Sequence, residues 1–203
     1  MALELLYSTL SCGMLLFLLL PGGARLSTPQ RWVALTACMM VALLPMGHGL
    51  TPTTALRGAV GDLSVITVCW LAAATAGRLL GRRPLVDGRE RLAAASVVLA
   101  GALLLYPAAL GLTEWDPYRL GYGPLLPAAC LVAVLALAAA GYTFITAAIA
   151  LALVACALRW LESPNLWDYL LDPALGTYAA VALIARCRRA AAATAASAAD
   201  AGR

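Results

Sequence analysis

Asp62 and Asp172 stand where long apolar runs begin, and that placement makes them the first candidates for chemistry. The uncharged residues 63–77 that follow Asp62 make only about 22 Å of helix, and residues 173–185 make about 20 Å. A hydrocarbon core about 30 Å thick needs about 20 residues of helix. Each run must therefore borrow the residues before it, which draws both carboxylates below the outer boundary. An ionisable group at that depth is costly and is expected to face a cavity or a partner. The expectation is that Asp62, Asp172 and Asp168 line a polar pocket at the outer face, with Arg57, Arg159 or His48 as counter-charges. The alternative is a set of ion pairs that hold helix ends.

Residues 163–173, Ser-Pro-Asn-Leu-Trp-Asp-Tyr-Leu-Leu-Asp-Pro, carry the densest polar pattern. Ser163 before Pro164 reads as an N-cap with proline in the first turn. At helical spacing Leu166 pairs with Leu170 and Trp167 with Leu171, while Asn165, Asp168 and Asp172 share another face. The pattern predicts an amphipathic helix that enters the apolar layer and kinks at Pro173.

Other chemistries lack their residues. His48 is the single histidine, and the six cysteines are isolated, with no metal-ligand spacing. They read as small buried apolar side chains. All 14 basic residues are arginine, so no lysine can form a Schiff base or serve a phosphate loop. No HExxH pair and no GxSxG elbow occurs either. Neither a metal nor a cofactor is expected, and the chain reads as non-enzymatic.

Two short stretches resemble known families. Residues 87–91, Asp-Gly-Arg-Glu-Arg, resemble the start of the alcohol phosphatidyltransferase motif, but the downstream aspartates of that motif are missing. Residues 57–64, Arg-Gly-Ala-Val-Gly-Asp-Leu-Ser, resemble a turn in the membrane domains of lipoteichoic-acid-synthase-like phosphoglycerol transferases. Those enzymes carry their metal and threonine nucleophile in a large extracytoplasmic domain that has no counterpart in these residues. The resemblance covers eight residues and implies a similar lipid-facing architecture.

The elements that must position these residues follow from composition. The 203 residues are 63% hydrophobic and 12% charged, against roughly a quarter charged in a soluble domain. The apolar runs are continuous, without the alternation of barrel strands, so helices are expected to span a bilayer. The predicted fold is an all-α polytopic transmembrane bundle with spans at 4–20, 32–50, 60–77, 92–112, 125–140, 142–159 and 165–185. Residues 4–20 are expected to stay as the first span, since a basic n-region and a small-residue cleavage pattern are lacking. The alanine-rich residues 190–203 read as a disordered cytoplasmic tail.

Seven spans rather than six depend on residues 125–158, which as one helix would be about 51 Å long. A tight turn near Gly141-Tyr142 divides them. With that turn, eleven arginines fall on one side and three on the other; without it the division is eight to six. The positive-inside rule prefers the first arrangement, with the N-terminus outside and the C-terminus in the cytoplasm. Residues 113–124 hold Glu114 and Asp116 beside Trp115, Tyr118 and Tyr122, the composition of an outer interfacial loop.

The net charge of +4 is spread beside the apolar runs, which points to membrane lipids and another membrane protein as partners, not nucleic acid. The expected function is a non-catalytic accessory, scaffold or subunit of envelope assembly in a bacterial-type inner membrane. The alternatives are a small transporter or channel using intramembrane carboxylates, and an intramembrane enzyme acting on a lipid head group.

Overall fold

The computed structural model describes residues 2–47, 49–81 and 85–201. Every regular element among them is helical. Seven are long: α1 (Ala2–Leu19), α2 (Thr28–Leu43), α4 (Val65–Leu80), α5 (Gly88–Ala109), α6 (Leu125–Ala139), α7 (Thr143–Ala157) and α9 (Pro173–Ala201). Two are short, α3 (Pro52–Val60) and α8 (Leu166–Leu170). By length and composition, α5 is the one helix among the described residues fit to cross a membrane. Glu4–Leu19, Val65–Leu80, Leu125–Ala139 and Thr143–Ala157 are apolar but shorter.

The region expected as one span at 32–50 divides into α2 and α3. Helix α2 stops at Leu43 because the residue before Pro45 is pushed out of the helical region, and Leu44 is extended at ψ 132°. Thr51 then caps α3, with Pro52 in the first turn. The buried Thr53 donates its hydroxyl to the Ala42 carbonyl at 2.7 Å, so α3 closes the end of α2. Helix α4 likewise begins at Val65 rather than near residue 60, with Ser64 as its N-cap.

The chain turns at Gly141. Its φ of 79° is left-handed, the Gly141 N–H donates to Ala138 O, and the Tyr142 N–H donates to Leu137 O, both at 3.0 Å. This Schellman pair ends α6. Tyr142 supplies no side-chain cap to α7; the buried Glu90 of α5 does so instead. Its Oε1 accepts from Phe144 N–H at 2.5 Å and Ile145 N–H at 3.1 Å. A carboxylate at a helix N-terminus meets both the unpaired donors and the positive end of the helix dipole. The Arg89 guanidinium lies 5.0 Å from the Tyr142 ring centre, so α5 grips the turn twice.

The last region is not one kinked helix. Leu171 is extended at φ −143°, α8 ends at Leu170, and α9 restarts at Pro173 with Asp172 before it. Ser163 is not the cap expected there: its hydroxyl accepts from Asn165 N–H at 3.1 Å, and Asn165 caps α8 by accepting from Trp167 N–H at 2.9 Å. Nor does α8 lie on a surface, since Leu166, Trp167, Tyr169 and Leu170 are all buried. They form the middle of the main core with Ile145, Ala148 and Ala152 of α7, Val65 and Ile66 of α4, and Val98 of α5. Helix α9 continues through the residues expected as a loose tail to Ala201; alanine is the best helix former, which suits a run with few side chains to order.

Candidate functional site

Asp62, Asp168 and Asp172 line one cleft of about 310 Å³, together with Glu162, near the starts of α4, α8 and α9. The loop after α3 delivers Asp62, the segment after α7 delivers Glu162, and the break between α8 and α9 delivers Asp172.

Asp172 is the most enclosed of the four, at 4% exposure. Its Oδ1 accepts from Leu175 N–H at 2.8 Å, an N-cap bond to the third residue of α9. Its Oδ2 accepts from Ser64 N–H at 2.9 Å and from the Thr67 hydroxyl. One carboxylate thus closes the N-termini of two helices, α9 and α4. Charge-assisted bonds of this kind are among the stronger ones in proteins.

Asp62 is held differently. Arg57 meets it as a fork, with Nε 2.8 Å from Oδ1 and Nη2 3.0 Å from Oδ2. The same Nη2 lies 2.9 Å from Glu162 Oε1, and the Ser8 hydroxyl is 3.3 Å from Asp62 Oδ1. Burial works against the charge of Arg57, but the charge and hydrogen bonds of Asp62, aided by Glu162, outweigh it and raise the guanidinium above its usual value. The neighbouring Tyr7 hydroxyl donates to Leu63 O at 2.8 Å, which fixes α1 against the strand-like entry to α4.

Asp168 accepts from the Tyr118 hydroxyl at 2.8 Å. Burial, with this acceptor, pushes the Tyr118 hydroxyl up from its usual value. The loop that carries Tyr118 is stapled to α8 by Asn165 Nδ2 donating to Tyr118 O at 3.0 Å and Trp167 Nε1 donating to Pro117 O at 2.9 Å. Gly121 is obligatory beneath it, because a Cβ there would stand 1.7 Å from Asn165 Oδ1.

One expected counter-charge, Arg159, does not join this group. Arg159 is exposed and adopts a left-handed φ of 52°. Its backbone ends α7: Arg159 N–H donates to Cys156 O and Trp160 N–H to Ala155 O, both at 3.0 Å. His48 lies outside the described residues, as do Arg82 and Arg83 of the basic loop.

The opposite end carries Arg31, Arg78, Arg91, Arg186 and Arg189. Arg78 of α4 reaches the end of α1, with Nη1 donating to Phe17 O and Leu18 O at 2.7 Å and Nη2 to Leu20 O at 2.6 Å. Gly23 leaves it room, since a Cβ there would sit 1.5 Å from Arg78 Nη2. Arg31 in turn donates to the Arg78 carbonyl at 2.9 Å. Sequence reasoning missed Glu162, Ser64 and Thr67 as partners in the acidic cleft and Glu90 and Arg78 as caps. The Asp172-Pro173 pair signals the cap of α9 itself, being the same cap-and-proline pattern as Ser163-Pro164.

No three or more His, Cys, Asp or Glu side chains are so placed among the described residues that they could hold a metal ion. No protein-family model, curated protein or solved structure matches this chain.

Proposed function

We propose that the chain is a seven-span, multi-pass protein of a bacterial-type inner membrane, with its N-terminus outside, and that it works as a non-catalytic accessory, scaffold or subunit in envelope assembly. The observation that carries the membrane reading is α6. Its fifteen residues, Leu-Leu-Pro-Ala-Ala-Cys-Leu-Val-Ala-Val-Leu-Ala-Leu-Ala-Ala, include none that is charged, and none is buried within the fold. Leu126, Cys130, Val134 and Leu137 pack against the core, and an apolar helix whose remaining faces have no cover in their own protein needs an apolar surround. Leu103 of α5, Val132 and Leu135 of α6 and Val181 of α9 are all more than half exposed, which extends that demand to neighbouring helices. Helices of 15 or 16 residues are short for the bilayer, and local thinning or flanking extended residues can make up the difference.

The non-catalytic reading rests on how the carboxylates are spent. Asp172 cannot turn to a ligand without uncapping α4 and α9, and Asp62 is taken up by Arg57. The polar residues of the outer face thereby support the architecture. Extraction in a mild detergent, followed by affinity purification, tests the role: a second membrane protein should co-purify in fixed stoichiometry, whereas a monomer without a partner under those conditions contradicts it.

The convergence of Asp62, Glu162, Asp168 and Asp172 on one cleft favours a second reading, a small transporter or channel. Cation flux into vesicles holding the purified protein, lost in Asp62→Asn, would replace the first reading with this one.

A further inference from the structure

The arginine end contains two adjoining clefts, of about 340 and 560 Å³, that share Arg91 and Tyr178. Together they form a groove between α4, α5 and α9. One face of α4 supplies Trp70, Ala73, Ala74 and Gly77 to it. Tyr178, Ala182, Arg186 and Arg189 come from one face of α9, at the helical spacing that puts them in a row. Trp70 and Tyr178 meet edge-on, with ring centres 5.7 Å apart, and pin the two helices together there. Beyond that contact the α4 wall is built from alanine and glycine, so the groove stays open.

Charge in this groove is unbalanced. Arg186 and Arg189 are exposed and Arg91 is half-buried. None of the three pairs with a carboxylate among the described residues: Arg91 donates only to Val86 O at 3.2 Å and Arg189 only to its own helix at Ala185 O. The nearby acids are spent elsewhere, Glu90 on α7 and Asp87 on the first turn of its own helix, where it accepts from Glu90 N–H. Arg78 at the groove's far side is committed to α1. Three uncompensated guanidinium groups therefore border a small-residue, aromatic-floored slot.

We propose that this groove binds the phosphodiester headgroup of an anionic glycerophospholipid of the cytoplasmic leaflet. Arg91, Arg186 and Arg189 hold the phosphate, and an acyl chain lies along Trp70, Ala73 and Ala74. Guanidinium forks match phosphate oxygens, and basic pockets between helices on the cytoplasmic side are suited to anionic headgroups. The site deepens the membrane reading above and depends on it.

Native mass spectrometry of protein released from membranes in mild detergent tests the site. Wild type should retain about one anionic phospholipid per chain. The double variant Arg186→Gln/Arg189→Gln should weaken phosphatidylglycerol affinity on rebinding roughly 25-fold, about fivefold for each guanidinium removed, and retain less lipid than wild type. Arg119→Gln, at an exposed arginine of the opposite end, should leave retention unchanged. Rebinding should favour phosphatidylglycerol over phosphatidylcholine and resist inorganic phosphate. Equal retention by the double variant, equal binding of phosphatidylcholine, or displacement by inorganic phosphate overturns the lipid site while leaving the membrane reading intact. Recovery of the chain in the soluble fraction without detergent overturns the membrane reading first, and the two failures are thereby told apart.

Discussion

The two ends of the bundle solve the same problem with opposite residue types and reach different degrees of closure. At each end, helix termini leave backbone groups without partners. The acidic end satisfies the starts of α4 and α9 with Asp172, and then gives its remaining cleft acids donors, with Arg57 on Asp62 and Glu162 and with the Tyr118 hydroxyl on Asp168. The arginine end satisfies the start of α7 with Glu90 and the finish of α1 with Arg78, but among the described residues it leaves Arg91, Arg186 and Arg189 without carboxylates. Buried charge is architecture at both ends. Every cleft acid has a donor, whereas three cations of the arginine end have no carboxylate among the described residues.

Substitutions should separate these roles by size. The largest loss is expected for Asp172→Ala, which strands the Ser64 and Leu175 N–H groups inside the protein; each buried unpaired donor costs about 1–3 kcal/mol, so thermal unfolding in detergent should show a loss of about 3 kcal/mol or more. Glu90→Ala removes the other buried cap and frees two donors of α7; a loss of about 2–3 kcal/mol is expected in the same assay. A cost near zero for either variant would remove the parallel between the ends. Arg57→Gln should cost about 1 kcal/mol or less, because the pair it breaks is partly exposed and screened; a loss as large as that of Asp172→Ala would make the ion pair the true keystone of the acidic end. Smallest is Arg159→Gly, expected to gain about 0.5 kcal/mol by relieving a left-handed arginine. A clear loss there would show that the side chain, and not only the turn, matters.

Parts of this arrangement are legible in the sequence. Run length alone requires a break in residues 125–158, and the chain turns at Gly141, where a residue with left-handed φ is needed. Asp62 and Asp172 stand out because charge is scarce around them, and they do border one cleft. What cannot be read is which groups they meet. The Asp172 bonds to Ser64 and Thr67 join residues more than 100 positions apart, and Glu90 reaches α7 across 54. Such pairings follow from helix packing, to which local periodicity is blind. The misplaced starts have a local cause: Pro173 reads equally as a kink or as a first-turn residue, and only the cap bond from Asp172 distinguishes the two.

The proposed direction of the chain through a bilayer can be measured with Cys187, which is exposed on α9 beside the arginines. A chain whose only cysteine is Cys187 and another whose only cysteine is Glu114→Cys are treated in intact cells with a membrane-impermeant maleimide. The seven-span account predicts that position 114 reacts at once and that Cys187 reacts only after the membrane is opened. Reaction of Cys187 in intact cells would place the C-terminus outside and contradict the account.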